Sequence, residues 1–198
     1  GEWAAFRVPS WNPDVGNGFP LTADGQTGSF YVPSMVLFAV LPVVWAVNAS
    51  VLGHLALAAA GMHRLMGALG VKGRGALLAA AAFAFSGFMS SHTGYLGMQN
   101  AAAWLPWLAC AVIRGRWAWV AFSATMLAVA GHPQIALIGW VLATAIAWWA
   151  GTFRTFLLGM VVAVGASSPQ WLATFELVGT SMRSGGVSED FARMGVLP

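Results

Sequence analysis

Charged residues are scarce in this chain. They make up 8% of its 198 residues, whereas hydrophobic residues make up 59%. Soluble domains carry about 25% charged residues, so this chain cannot present a water-compatible surface on every side. We therefore expect lipid to surround most of it. The net charge of +3 is spread along the sequence, and membrane topology explains it better than nucleic-acid binding does.

Cysteine pairs and the usual metal-binding spacings are also missing. The single Cys110 lies within an apolar run and excludes an internal disulfide. No HxxxH, HExxH or CxxC spacing occurs, so a pre-formed zinc site is not expected. P-loop, GxGxxG and GxSxG motifs are absent, which leaves nucleotide chemistry and serine hydrolysis without support.

Apolar segments dominate what is present. They are predicted at Val43–Leu65, Gly75–Ser91, Ala101–Ile113, Trp117–Ala130, Ile135–Ala150 and Thr155–Ser167, after a short amphipathic piece at Pro33–Leu41. The sequence therefore predicts an all-α membrane protein, a bundle of about six transmembrane helices with a Gly/Pro-rich outer loop at its N-terminal end. Pro133 and Pro169 are expected to mark helix breaks.

Three regions follow from this pattern. Residues 1–32 are expected to form an extracytoplasmic loop, because turn-forming residues dominate there. Residues 33–177 would form the transmembrane bundle, and residues 178–198 an extracytoplasmic segment leading to a further C-terminal part. We also expect a signal or membrane helix before Gly1.

Loop cations lie only in alternate connections: Arg64, Lys72, Arg74, Arg114, Arg116 and Arg154. The connections 92–100 and 131–134 contain no Lys or Arg, so the positive-inside rule places the cations in the cytoplasm. The opposite, outer face then collects Asp14, Asp24, His92, Gln99, Asn100, His132, Gln134 and Glu176. The polar residues with a functional role are thus predicted to lie on the extracytoplasmic side of a cytoplasmic membrane.

Several of these outer residues have both a functional and a structural interpretation. Asp14 and Asp24 can act as a general base or hold a divalent cation, or they can simply close turns. His92 and His132 can move protons or contact a phosphate, or be satisfied by water and backbone. Glu176 is either an acidic partner in the site or a solvated residue at a helix end. His54 falls mid-span, where hydrogen bonding between helices is the better interpretation.

Longer motifs carry a resemblance. The stretch PSWNPDVGNGFPLTADGQTGSFYVP resembles the first outer loop of YfhO-like bacterial membrane proteins. FAFSGFMSSHTGYLGMQNAAAWLPW, AGHPQIAL and SSPQWLATFELV resemble their later blocks. That family is similar to multi-pass GT-C glycosyltransferases. The resemblance implies an inner-membrane enzyme that transfers a sugar from a polyprenyl-phosphate donor to an extracytoplasmic acceptor.

Residue roles follow from that implied reaction. GT-C enzymes commonly place a catalytic acid soon after the first membrane helix, which falls before or near Gly1 here. The acids that remain for this role are Glu2, Asp14 and Asp24. Of these, Asp24 or Asp14 is expected to serve as base or metal ligand, with His92 and His132 near the phosphate. Gln99, Asn100 and Gln134 would orient sugar hydroxyls, and Arg7 is a further candidate for the phosphate.

Two other classes remain open. A Trp-rich bundle of six spans can be a non-enzymatic accessory subunit that contacts neighbouring membrane subunits. That class predicts aromatic surfaces facing other chains and no enclosed outer cavity, whereas the enzyme predicts a polar cavity open outward and sideways to lipid. A transporter would require internal repeats and several mid-membrane ionisable residues, and only His54 qualifies. No class involves nucleic acid.

Overall fold

Every regular element in the described part of the chain is a helix. The computed structural model describes residues 10–180, which fold into α1 (Val32–Val40), α2 (Val43–Ala68), α3 (Arg74–Ala84), α4 (Gly87–Ser91), α5 (Leu96–Ile113), α6 (Trp117–Val129), α7 (Pro133–Trp149) and α8 (Phe153–Thr180). Helices α2, α5 and α8 are long and apolar enough to cross a membrane, and α6 and α7 are shorter apolar helices. The predicted all-helical fold is confirmed, while the count of about six spans stays a prediction.

Some predicted helix boundaries are wrong. The segment predicted at Gly75–Ser91 divides into α3 and α4 because the Ser86 hydroxyl caps α4, accepting from the Met89 amide at 3.4 Å. Helix α5 begins at Leu96 and so absorbs part of the connection predicted at 92–100.

Pro133 begins α7, but Pro169 does not break a helix as predicted. Helix α8 continues through Pro169 to Thr180. A proline nitrogen cannot bond the carbonyl four residues earlier, that of Gly165. The Ser168 hydroxyl donates to that carbonyl at 2.8 Å, so the helix loses no hydrogen-bond partner there.

Helix α5 lies at the centre of the bundle, packed against α2, α6 and α7. The face that α2 buries carries small residues and one histidine at a spacing of three to four: Ala46, Ser50, His54, Ala58 and Gly61. A Cβ atom at Gly61 would lie 2.6 Å from the Trp107 ring of α5. Small residues therefore allow α2 and α5 to approach closely at this interface.

Short turns make α5 to α8 run alternately up and down. In the turn from α5 to α6, Gly115 has a φ of 61° and the Arg116 amide donates to the Ala111 carbonyl at 3.0 Å. Gly151 repeats the arrangement between α7 and α8, with a φ of 68°. These turns form what we call the arginine end. The turn at Gly131 and the loop before α1 form the opposite, polar end.

Candidate functional site

Residues 10–31 form a turn-rich loop that is anchored to the polar end. Asn12 and Phe19 exchange two backbone hydrogen bonds of 2.8 Å and close its first turn. Farther along, the Gln170 side chain of α8 donates to the Thr22 carbonyl at 2.8 Å. Gln170 is only 4% exposed, so this bond holds the loop against α8 from within the protein.

Three glycines bring the loop into backbone contact with two helix ends. Gly97 lies at the start of α5, and a Cβ there would collide with the carbonyl oxygen of Gly131. Gly131 has a φ of 95°, and its own Cβ would lie 2.9 Å from the Gln26 carbonyl. Gly28 has a φ of 63° and lies against Ala130. Larger residues would push these segments apart, so the glycines fix the shape of the polar end.

An apolar groove of about 840 Å³ lies between α7 and α8 and is closed at the polar end by the loop. Its walls include exposed aliphatic and aromatic side chains such as Leu137, Leu172 and Phe175, which are 62%, 68% and 66% exposed. The side of the groove next to the loop is lined by three polar side chains, Asp24, Gln26 and Gln134. The groove is thus apolar along the helices and polar where it meets the loop.

A second, more polar cavity of about 530 Å³ lies on the other side of the loop. The loop, α1, the start of α5 and the turn before α7 line it. Its polar side chains are Gln26, Thr27, Ser29, Ser34, Tyr95, Asn100 and His132. Gln26 lines both cavities, and His132 lines this one while the next residue, Pro133, lines the groove. The two spaces therefore adjoin at the turn before α7.

The structure separates the three candidate carboxylates of its described range, and the candidates Glu2 and Arg7 lie outside that range. Asp24 lines the groove, and its Oδ1 accepts from the Gln26 amide at 3.4 Å in an Asx turn. Asp14 is exposed in the first turn and lines neither cavity. Glu176 is exposed on α8 and also lines neither. Asp24 is therefore the candidate acid or base that meets a cavity.

The two candidate histidines also differ. His132 is the N-cap of α7, and its Nδ1 accepts from the Ile135 amide at 3.4 Å. Partial burial lowers the pKa of His132 below its usual 6.5, and the neighbouring His92 lowers it further. The ring is then neutral at pH 7, with Nδ1 as acceptor and Nε2 carrying the proton. His92 stacks on Phe88 at 4.4 Å and lines neither cavity.

The candidate amides divide between surface and interior. Gln134 is exposed at the start of α7 and lines the groove. Asn100 is 2% exposed and reaches the polar cavity from inside, where its Oδ1 accepts from the Ser50 hydroxyl at 3.3 Å. Gln99 is fully buried and donates to the Val51 carbonyl at 3.4 Å. Gln99 and Asn100 thus join α5 to α2 rather than lying in an open outer turn.

A buried polar chain behind the cavity was not predicted as a unit. His54 Nδ1 lies 2.7 Å from the Ser50 carbonyl, which can only accept, so Nδ1 carries the proton. Its Nε2 therefore accepts from the Tyr31 hydroxyl at 2.7 Å, and Trp104 Nε1 donates to the same hydroxyl oxygen at 2.7 Å. This chain ties the loop to α2 and α5. His54 therefore bonds to Ser50 of its own helix and to Tyr31 of the loop, not directly to a neighbouring helix as predicted, and it reaches α5 only through the Tyr31 hydroxyl.

The sequence offered one signal for the buried polar chain: small residues recur every three to four positions along α2, and His54 falls among them. His54 lies on the small-residue face of α2, so a partner on the facing helix or loop had to satisfy it. The sequence did not show which residue that would be, because Tyr31 and Trp104 are 73 positions apart.

Known proteins provide no further assignment. No family model, no curated protein and no solved structure matches the chain. The YfhO-like resemblance therefore stays a prediction.

The described residues do not build a cation site. Within residues 10–180, no three His, Cys, Asp or Glu side chains converge as metal ligands would. Asp24 is the one carboxylate of that range that lines either cavity, so a divalent cation would need most of its ligands from the substrate.

Proposed function

We propose that this chain belongs to a multi-pass membrane glycosyltransferase that moves a sugar from a polyprenyl-phosphate donor to an extracytoplasmic acceptor. One observation carries the proposal: an apolar groove and a polar cavity adjoin at the polar end of a lipid-compatible helical bundle. A lipid-linked sugar has this division, with a hydrocarbon tail, a phosphate and a hydroxyl-rich head.

The donor's tail would lie in the groove between α7 and α8. Its walls at Leu137, Leu172 and Phe175 are apolar and already exposed, so a prenyl chain would cover them without removing polar groups from water. The phosphate would then reach the turn at His132 and Pro133. The sugar would enter the polar cavity, where Asn100 and Tyr95 can donate hydrogen bonds to the sugar hydroxyls or accept them from those hydroxyls.

Asp24 is the residue we assign as the general base. Its carboxylate takes the proton of the acceptor hydroxyl, whose oxygen attacks the anomeric carbon. The bond from that carbon to the phosphate oxygen breaks, and the polyprenyl phosphate leaves with the electron pair. Because neutral His132 keeps its proton on Nε2, it can donate a hydrogen bond to the charge that develops on the leaving phosphate.

The structure provides a matched test, since the two candidate aspartates differ in position. With the full-length protein in proteoliposomes and a radiolabelled polyprenyl-phosphate sugar, we expect Asp24→Asn to slow transfer by about 100-fold or more. Asp14→Asn removes the same charge from the same loop outside both cavities, so it should retain near-normal transfer. Equal rates for the two variants would contradict the assignment of Asp24.

A second variant pair tests the groove. Leu172→Trp places bulk inside the groove, whereas Leu158→Trp places it on the same helix at an exposed position that lines neither cavity. We expect photo-crosslinking to a polyprenyl-phosphate analogue to fall only in Leu172→Trp. Unchanged labelling in both variants would exclude the groove as the lipid site.

One observation favours the accessory-subunit alternative. Asp24 is engaged in an Asx turn, while Asp14, His92 and Glu176 line neither cavity, so few chemical groups converge at the proposed site. In that case the full-length protein would transfer no sugar. The same Leu172→Trp change would instead release a neighbouring membrane subunit on blue-native electrophoresis.

A further inference from the structure

The arginine end contains a small cavity of about 70 Å³ that none of the preceding roles uses. Three separate elements contribute arginines to it: Arg64 from α2, Arg114 from the end of α5, and Arg116 from the start of α6. The remaining lining is Trp107, Cys110, Ala111 and Trp119. We refer to Arg64, Arg114 and Arg116 as the arginine cluster.

The arginine cluster is held in place by rings and by a tight turn. The Arg64 guanidinium carbon lies 5.3 Å from the centre of the Trp107 ring, a cation–π contact. Trp107 in turn stacks with Trp119 at 6.4 Å and an interplanar angle of 23°. Arg114 and Arg116 flank Gly115, whose positive φ sets the turn between two helices. Three cations are therefore gathered around one space before any ligand arrives.

The positive-inside rule explains why these arginines share one end of the bundle, but not why three of them line one cavity. Helix C-terminal carbonyls often attract cations, but those at the end of α5 already accept backbone amides. The carbonyl of Cys110 bonds the Arg114 amide, that of Ala111 bonds the Arg116 amide, and that of Val112 bonds the Gly115 amide.

Carboxylates do not explain it either. The acids of residues 10–180 are Asp14, Asp24 and Glu176. The two aspartates lie in the loop of the polar end, and Glu176 lies in the last turns of α8, far from that helix's start at the arginine end. No acid of the described range therefore neutralises the arginine cluster, and its positive potential is open to an external anion.

We propose that the arginine cluster binds the phosphodiester of an anionic membrane phospholipid. The cavity has room for a phosphate-sized group, with the glycerol head outside it and the acyl chains in the surrounding bilayer. Trp117 and Trp119 are 45% and 48% exposed beside it, at the level where tryptophans meet lipid headgroups. Basic pockets between membrane helices recognise anionic headgroups in this way.

Helix α6 adds a smaller contribution. It has 13 residues, and its N-cap Arg116 makes no side-chain capping bond, so the first amides of the helix have no intrahelical acceptor. These amides face the same turn as the arginines and favour a negative group there. The site does not depend on the proposed glycosyltransferase activity, because it lies at the other end of the bundle.

Native mass spectrometry of the full-length protein in a neutral detergent tests the site. The probes are phosphatidylglycerol, phosphatidylcholine and inorganic phosphate. We expect phosphatidylglycerol to bind more tightly than phosphatidylcholine. The double change Arg114→Gln with Arg116→Gln should weaken its binding by about 30-fold, at about 1 kcal/mol per lost arginine contact.

A charge-matched control separates a built site from general attraction. Lys72→Gln with Arg74→Gln removes two exposed cations from the connection after α2, outside the cavity, and should leave phosphatidylglycerol binding within about twofold. Equal losses in the two double variants would overturn the proposal. Competition by inorganic phosphate at the same concentration as lipid would overturn the lipid assignment. If the first double variant does not fold, Arg64→Gln serves as the test, since Arg64 is an exposed side chain outside the turn.

Discussion

The hydroxyl of Tyr31 is the point in the buried polar chain where a single change has a calculable effect. Tyr31→Phe keeps the ring, which is fully buried, and removes only the oxygen. Two hydrogen bonds of 2.7 Å disappear together, one from the hydroxyl to His54 Nε2 and one from Trp104 Nε1 to the hydroxyl. No cavity large enough for a replacement water opens, because only one atom is lost.

The expected cost follows from the two groups left without partners. Side-chain hydrogen bonds in membrane proteins average about 0.6 kcal/mol, so two bonds set a lower estimate of about 1 kcal/mol. A buried polar group without a partner costs about 1–3 kcal/mol in soluble proteins, so the two groups together set an upper limit of about 6 kcal/mol. We therefore expect Tyr31→Phe to lower the free energy of unfolding by about 1–6 kcal/mol.

Unfolding by SDS in mixed micelles, followed by tryptophan fluorescence, measures this difference. The chain contains only one other tyrosine, Tyr95, which is 66% exposed and makes Tyr95→Phe the matched control. Adding His54→Leu to Tyr31→Phe should cost less than the sum of the single changes, because both remove the same bond. A change below about 0.3 kcal/mol for Tyr31→Phe would refute the buried chain as a source of stability.

Three further predictions follow from the polar end and α8. Because the pKa of His132 is lowered in the folded state, its contribution to stability is present above about pH 6.5 and is lost as pH falls below it. His132→Asn provides a cap that does not titrate, so the midpoint of SDS unfolding should change less between pH 7.5 and pH 5 in this variant than in the unchanged protein. Gly97→Ala should destabilise by about 1–3 kcal/mol through its clash with Gly131, whereas Gly94→Ala, in open space, should not. Ser168→Ala should lower the free energy of unfolding by about 1 kcal/mol, because it leaves the Gly165 carbonyl without its hydroxyl donor, and the same SDS titration measures this.

The helix boundaries were predictable where a charged residue, a glycine or a proline ends an apolar run. Helices α6 and α7 begin and end within two residues of their predicted bounds, because Arg116, Gly131 and Pro133 interrupt the apolar runs. The break at Ser86 was missed because one serine that caps a five-residue helix is a weak signal next to the alanine-rich run before it. The continuation through Pro169 was missed because it depends on a hydroxyl reaching back to one carbonyl.

The candidate site was predictable only in outline. Turn chemistry and missing cations identified the polar end, and Asp24, His132 and Gln134 do line cavities there. Sequence reasoning could not separate Asp24 from Asp14, since both stand in Gly-rich turns ten residues apart. It also placed Gln99 and Asn100 in an open turn, whereas helix α5 starts early enough to carry both into the interior. Contacts with residues far away in the sequence decide whether these side chains meet a cavity or the interior, and a local sequence pattern does not show such contacts.

Helix α8 has 28 residues and so spans about 42 Å at about 1.5 Å per residue, longer than a hydrocarbon layer of about 30 Å. In a membrane, a surplus of roughly two turns would stand in the headgroup region or be taken up by tilt of the helix. Gln170 lies in the C-terminal third of α8 and holds the loop by its hydrogen bond to the Thr22 carbonyl. If α8 crosses a bilayer as its length and composition allow, a thinner or thicker membrane would shift the loop, with Asp24, relative to the hydrocarbon.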